Sequence, residues 1–354
     1  MLDTSSVLEV LRPLEDPELR KSLVELNMIR NVKIDNGDVS FTLVLTTPAC
    51  PLRKLIVDDC QRAVKKLPGV EKVIVDVTAE TPQQKSLPDL TGIAGVKNIL
   101  AISSGKGGVG KSTVAVNVAV ALAYTGAKVG LIDADIYGPN APSMLGLENA
   151  EVTVQKTKRG DVLEPAFNHG IKLVSMGFLI DPDQPVVWRG PMLNGIIRQF
   201  LYQVEWGELD YLIVDMPPGT GDAQLTLAQA VPMAGAVIVT TPQNVALLDS
   251  RRGLKMFQQM KVPVLGIVEN MSYFIPPDLP DRQYDLFGSG GGEKTSKELN
   301  IPLLGCIPLE ISLRQGGDQG LPIVVAHPES ESAKALVAIS EQIAAKVSIA
   351  ALSR

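Results

Sequence analysis

The run Ser104-Gly105-Lys106-Gly107-Gly108-Val109-Gly110-Lys111-Ser112-Thr113 stands between an apolar, strand-like segment at Ile99–Ile102 and an apolar stretch of helical length. It meets the pattern G-x-x-x-x-G-K-[ST] in full. In that pattern the glycines let successive backbone N–H groups turn toward phosphate, the lysine reaches the terminal phosphates and the hydroxyl ligates magnesium. Residues 105–113 are therefore expected to cradle the phosphates of a nucleotide, with Lys111 on the phosphates and Ser112 on the metal. Lys106 is surplus to this need. An ammonium near the start of the loop reaches the phosphates of a facing subunit more readily than its own, which predicts a nucleotide-sandwich dimer.

Strand, loop and helix in this order call for a parallel sheet. Further apolar runs at Val129–Ile132, Ile171–Val174, Tyr211–Val214, Ala236–Val239 and Leu265–Val268 alternate with helix-length segments. The expected fold class is α/β, a doubly wound, mostly parallel sheet of the P-loop NTPase kind. A chain of 354 residues exceeds what one core usually serves, so a second domain is expected. Residues 1–80 fit a small α+β domain, with a hairpin about Asp35-Asn36-Gly37, a helix from Leu52 to Lys66 and a strand from Val70 to Val77. Residues 81–96 turn polar and Pro/Gly-bearing, as linkers do, leaving 97–354 for the nucleotide-binding domain. The stretch from Ser272 to Gly292 shows no periodicity and reads as a loop that is either functional or mobile.

Composition narrows the partners. A net charge of −6 and the lack of a Lys/Arg stripe argue against nucleic acid. No signal-peptide pattern opens the chain, and no apolar stretch looks long enough to span a bilayer, so a cytoplasmic protein without a membrane partner is expected. Cys50, Cys60 and Cys306 are too few and too scattered for a disulfide framework, and with His169 and His327 they match no zinc template. Cys60 and Cys306 read as buried core thiols.

Ligands of such sheets collect where strands end, so acidic residues just past the apolar runs carry the chemistry. Two segments qualify: Asp133-Ala134-Asp135-Ile136-Tyr137-Gly138-Pro139 and Asp215-Met216-Pro217-Pro218-Gly219-Thr220-Gly221-Asp222. Phosphoryl transfer needs positioned water and metal. Asp215 is assigned to magnesium and Asp135 to the attacking water with Asp133 in support, which places Lys106, Lys111, Asp133 and Asp135 in the catalytic group. Aspartates at strand-to-helix turns also serve as helix caps, and that alternative stays open.

Together with Asn270-Met271-Ser272-Tyr273, these segments resemble the Mrp/ApbC family of P-loop ATPases, which carry iron-sulfur clusters and are related to MinD. The N-terminal part, with Asp16-Pro17-Glu18 and Thr46-Thr47-Pro48-Ala49-Cys50-Pro51, is similar to the MIP18-like domain fused to many bacterial members. The resemblance implies a homodimer that binds and slowly hydrolyses ATP with magnesium, with Lys106 crossing the interface. It implies that Asn270 hydrogen-bonds adenine and Pro308 flanks it, and it places Arg189 near the dimer face. Its implied partners are apo iron-sulfur proteins and assembly scaffold proteins. Most members carry a C-x-x-C pair soon after Asn-Met-Ser-Tyr, whereas here Phe274-Ile275-Pro276-Pro277-Asp278-Leu279-Pro280 follows. Cys50 remains. Its place ahead of a helix-like stretch favours thiolate and makes it the candidate cluster ligand. Three readings follow: a cluster carrier, a positioning ATPase of the MinD/ParA kind, and a regulatory ATPase that no longer binds a cluster.

Overall fold

The computed structural model describes residues 2–83, 92–136, 138–150, 153–157, 160–179, 190–279 and 281–352. Most of the expected linker, Tyr137 and Arg189 lie outside the described residues. The chain forms two compact units, one of residues 1–82 with 344–354 and the other of residues 83–343.

In the larger unit each of the six apolar runs becomes a strand, and a sheet of eight forms. Its order is Ala166–Asn168, Ile171–Ser175, Val129–Asp133, Leu209–Asp215, Val96–Ser104, Gly235–Thr240, Val264–Phe274 and Leu303–Leu309. Every pairing is parallel except that of Ala166–Asn168, which runs antiparallel at the edge. Val129–Asp133 and Gly235–Thr240 are buried at every residue, the signature of strands covered on both faces. The helix Lys111–Tyr124 is likewise buried from Val114 to Leu122, which its valines and alanines allow because no side of it is polar.

Strands of this unit absent from the sequence reading are the edge strands Ala166–Asn168 and Leu303–Leu309 and the hairpin Val154–Thr157 with Gly160–Leu163. Three or four residues are too few to show a period, and Pro308 lacks an N–H, which only an edge strand tolerates. The stretch after Ser272 is partly ordered: the strand runs on to Phe274, whose N–H and carbonyl pair with Tyr284 at 2.9 and 2.8 Å. One expectation on length is corrected. The last helix, Glu331–Leu352, is long and apolar enough to cross a membrane, because its final eighteen residues carry only Glu341 and Lys346 as charges. Leu336, Ile339 and Ile343 on it are nevertheless fully buried, as in the core helix of a soluble fold.

The smaller unit opens with the helix Thr4–Leu11, closed by a capping box between Asp3 and Ser6. Ile29–Asp35 and Asp38–Leu45 form the expected hairpin, with Asn36 and Gly37 both at positive φ, +48° and +94°, as a tight two-residue turn requires. The helix Arg53–Val64 then crosses over to Lys72–Ala79, which lies parallel to Asp38–Leu45. Val7, Leu11, Phe41, Leu43, Cys60 and Val64 fill this core.

Leu131 is wholly buried in a central strand of the larger sheet. Leu131→Ala is expected to cost about 2–5 kcal/mol, seen as a lower denaturant midpoint at unchanged slope.

Candidate nucleotide site

Strand register assembles the site. Asp215 lies opposite Asp133 on one side and Ile102 on the other, and Ser175 lies opposite Asp133, so three polar strand ends sit level with the start of the phosphate loop. The loop leaves the sheet beside the crossover between Leu209–Asp215 and Gly235–Thr240, where open parallel sheets hold their ligands. Gly105 abuts the helix Asn244–Gln259 so closely that a Cβ would lie 2.1 Å from the Asp249 carbonyl carbon. Gly110 has φ +80°, and a Cβ there would lie 2.1 Å from Asn270 Nδ2. Both positions admit only glycine. Gly107 and Gly108 face open space.

Lys111, 5 % exposed, is the hub of the charges. Its ammonium pairs directly with Asp215 Oδ1, lies 3.3 Å from Asp135 Oδ2 and donates to Ser112 Oγ at 3.2 Å. Burial works against its charge, but Asp215, Asp135 and Asp133 outweigh burial and hold its pKa above the ordinary value. Asp215 is wholly buried; desolvation raises its pKa although Lys111 and Ser112 pull it down. Asp133 is also wholly buried. Desolvation and the neighbouring Asp215 push it up to about 7, against hydrogen bonds from Ser175 and Ala141.

The two aspartates of the first segment part company. Asp135 faces Lys111, while Asp133 turns into the protein and accepts from Asp135 N at 3.2 Å, Ala141 N at 3.1 Å and Ser175 Oγ at 2.9 Å. Asp133 thus pins the chain that carries Asp135. Sequence reasoning missed Ser175, although it stands just past an apolar run as Asp133 and Asp215 do. The strand-end rule applied to hydroxyls as well as carboxylates finds it. Lys106 stands outside the ion cluster, half-buried, its carbonyl accepting from Ser104 Oγ at 2.9 Å.

A cavity of about 520 Å³ extends from Gly110 and Thr113 past Asn270, Met271 and Pro308 to Leu313 and Arg314. Asn270 is 3 % exposed, and its Nδ2 donates to the Val109 carbonyl at 2.9 Å. Reversing the amide would set oxygen against oxygen, so this contact fixes the side chain with Oδ1 as a free acceptor. Among the described residues Oδ1 is buried without a protein partner, as is Asp215 Oδ2. Two orphaned acceptors, one beside Lys111 and Ser112 and one on the cavity wall, fit a site made for magnesium and a base.

Two of the three cysteines, Cys50 and Cys60, belong to the smaller unit. Cys50 is half-buried on the turn into the helix Arg53–Val64, its carbonyl accepting from Arg53 N at 3.3 Å. Cys60 is buried as expected, and desolvation pushes its thiol up to about 12. Cys306 departs from the expected core thiol: it is half-buried on an edge strand, 3.9 Å from Glu269 Oε1. Among the described residues no group of three or more His, Cys, Asp or Glu is placed to hold a metal ion by itself.

A glycine-rich loop joining a central parallel strand to a buried helix, with a lysine and two aspartates around its mouth, defines a P-loop NTPase. Residues 95–344 match the family described as NUBPL iron-transfer P-loop NTPase, and residues 4–77 match an iron-sulfur cluster assembly domain. The chain belongs to that NTPase family. A relative from Synechocystis named iron-sulfur cluster carrier protein is 81% identical over 99% of this chain and 100% of its own length. One of the same name from Escherichia coli is 42% identical over 94% and 89%. Among solved structures, a nucleotide-binding protein of Archaeoglobus fulgidus in complex with ADP is 40% identical, covering 67% of this chain and 91% of its own, with a TM-score of 0.58. The cell-division ATPase MinD of Pyrococcus furiosus is 25% identical, covering 70% and 98%, with a TM-score of 0.51.

Removing the ammonium strands buried carboxylates. Lys111→Ala is expected to cost the nucleotide-free protein about 3–5 kcal/mol at pH 8. The pKa values of Asp133 and Asp215 are raised in the fold, so their protonated forms favour folding and that contribution is lost as pH rises. For Asp133 the window runs from the ordinary carboxylate value to about 7. The deficit of the variant should therefore shrink between pH 8 and pH 5; an equal deficit at both, in denaturant titrations, refutes the burial argument.

Proposed function

We propose that this protein is an ATP-hydrolysing carrier of iron-sulfur clusters that works as a homodimer in the cytoplasm and delivers its cargo to apo-proteins. The observation that carries the ATPase part is the cluster of Lys111, Ser112, Asp135 and Asp215 beside a glycine-rich loop whose Gly110, with Thr113, opens onto the cavity lined by Asn270 and Pro308. The iron-sulfur part rests on the family matches in both halves of the chain and on the names of the relatives.

In this reading the N–H groups of residues 107–113 receive the phosphates, and Lys111 exchanges its carboxylates for them. Ser112 and Asp215 hold magnesium, which when bound neutralises charge building on the transferred phosphoryl group. Asp135, released from Lys111, accepts a hydrogen bond from the attacking water and aims it at the terminal phosphorus. Asp133 acts through Asp135 as a positioning residue, held by Ser175 and Ala141. At the far end the fixed Oδ1 of Asn270 accepts from the exocyclic amine of adenine and meets guanine's carbonyl oxygen as a repulsion, while Pro308 lines the base. Because the same amide holds Val109, base recognition and the phosphate loop share one side chain. Lys106 reaches the phosphates of the second copy. The cluster is cargo, and with no C-x-x-C after Tyr273 its ligand in this chain is assigned to Cys50.

Lys111→Ala should abolish magnesium-dependent phosphate release; full turnover in that variant would sink the ATPase reading. Asn270→Ala should raise the KM for ATP about tenfold, the worth of one buried hydrogen bond, and narrow the preference for ATP over GTP. For the cargo, anaerobic reconstitution with iron and sulfide should give a visible absorption band and transfer to an apo-acceptor. Retention of the band in Cys50→Ala removes Cys50 as ligand, and its absence in the unmodified protein removes the carrier reading.

A further inference from the structure

A third buried acceptor without a protein partner among the described residues lies close to the site. Gln224 Oε1 has no hydrogen-bond partner, and the residue is 1 % exposed. Gln224 is the third residue of the helix Asp222–Ala230, which follows the Asp215 segment. Its Nε2 donates to the carbonyl of Pro217 and to Ser103 Oγ, the latter at 3.3 Å. Ser103 belongs to the strand that feeds the phosphate loop.

The reason for an amide here lies in the backbone. Beyond Asp215 the chain keeps tracking that strand, with Met216 N donating to Ile102 O at 3.0 Å and Gly219 N donating to Ser104 O at 3.0 Å. Between these two rungs stand Pro217 and Pro218, which have no N–H to donate. Gly219 takes the Ser104 acceptor that Pro218 cannot use, and the Gln224 amide adds a further tie, from the Pro217 carbonyl to Ser103 Oγ. Its orientation is fixed, because reversal would press Oε1 against the Pro217 oxygen. The other end of the amide is left buried and unpaired, a cost that a methionine of similar volume would not carry. Only the donor end offsets that cost.

We propose that Gln224 is a positioning residue for ATP hydrolysis: its amide ties the Pro217 carbonyl to the Ser103 side chain, so that Asp215 and the segment after it shift with the phosphate loop as one body. The inference rests on the ATPase reading above. Gln224 touches no substrate and acts through the Pro217 carbonyl. The phosphates bind on the loop itself, so the amide governs how Asp215 is presented during turnover and leaves nucleotide affinity alone.

The test compares the full-length protein with Gln224→Met, which keeps the volume and removes both the donor and the orphaned acceptor, and with Gln224→Ala. Steady-state ATP hydrolysis, equilibrium binding of a fluorescent ATP analogue with magnesium, and thermal melting are measured on each. In Gln224→Met the expected result is a fall in kcat of at least tenfold, with KM and analogue Kd within threefold and a melting temperature no lower than that of Gln224→Ala, which adds a cavity to the same lost hydrogen bonds. A merely structural role would move melting first and leave kcat. A kcat within twofold in Gln224→Met, or a loss of affinity that matches the loss of kcat, overturns the proposal. Where the unmodified protein itself shows no magnesium-dependent turnover, the ATPase reading falls and takes this inference with it, an outcome distinct from an active protein with an indifferent variant.

Discussion

The ammonium of Lys111, held among carboxylates in the interior, is the interaction around which the site is organised. Burying a lysine or an aspartate alone costs several kcal/mol, and the structure meets that cost by burying them together. The arrangement needs strand ends at one level, and the parallel register provides it by setting Asp133 and Asp215 side by side. It needs a loop that turns the lysine inward, which Gly110 allows. In the proposed reading the carboxylates stand in for the phosphates while these are away, so the interior charge stays paired in both states. Nucleotide binding is then an exchange of one set of negative partners for another.

Much of this was legible beforehand, for definite physical reasons. A P-loop is a local object whose residues act within a few positions of each other, and runs of valine and isoleucine declare parallel strands buried on both faces. The level of Asp135, Asp215 and Asn270 follows from their standing just past such runs. What stayed hidden depends on partners far along the chain. The inward turn of Asp133 is set by Ser175 and Ala141, which are 42 and 8 residues away. The amide of Asn270 is set by Val109, 161 residues away. The edge strand Leu303–Leu309 is broken up by Gly305, Cys306 and Pro308, and only its neighbour makes it a strand.

The two orphaned acceptors at the site divide its labour. In the proposed reading Asp215 Oδ2 waits at the metal end and Asn270 Oδ1 at the base end. A buried unpaired oxygen is a standing cost in the empty protein and a ready contact in the loaded one. The cysteines show the opposite economy. Cys60 is sealed in apolar surroundings that disfavour its thiolate, whereas Cys50 is half-buried on the turn into a helix.

The way the chain is partitioned has its own consequence. Residues 344–354 belong with residues 1–82, so the nucleotide-binding unit is an insertion within the smaller one, joined to it by two covalent crossings. One crossing lies in the polar stretch near residue 83 and the other inside the helix Glu331–Leu352, where Ser348 Oγ donates to the Thr46 carbonyl at 3.2 Å. Cutting the first crossing alone would leave the halves joined, and ending the chain at residue 343 would strip the smaller unit of a piece of itself. The two units are therefore nested along the chain.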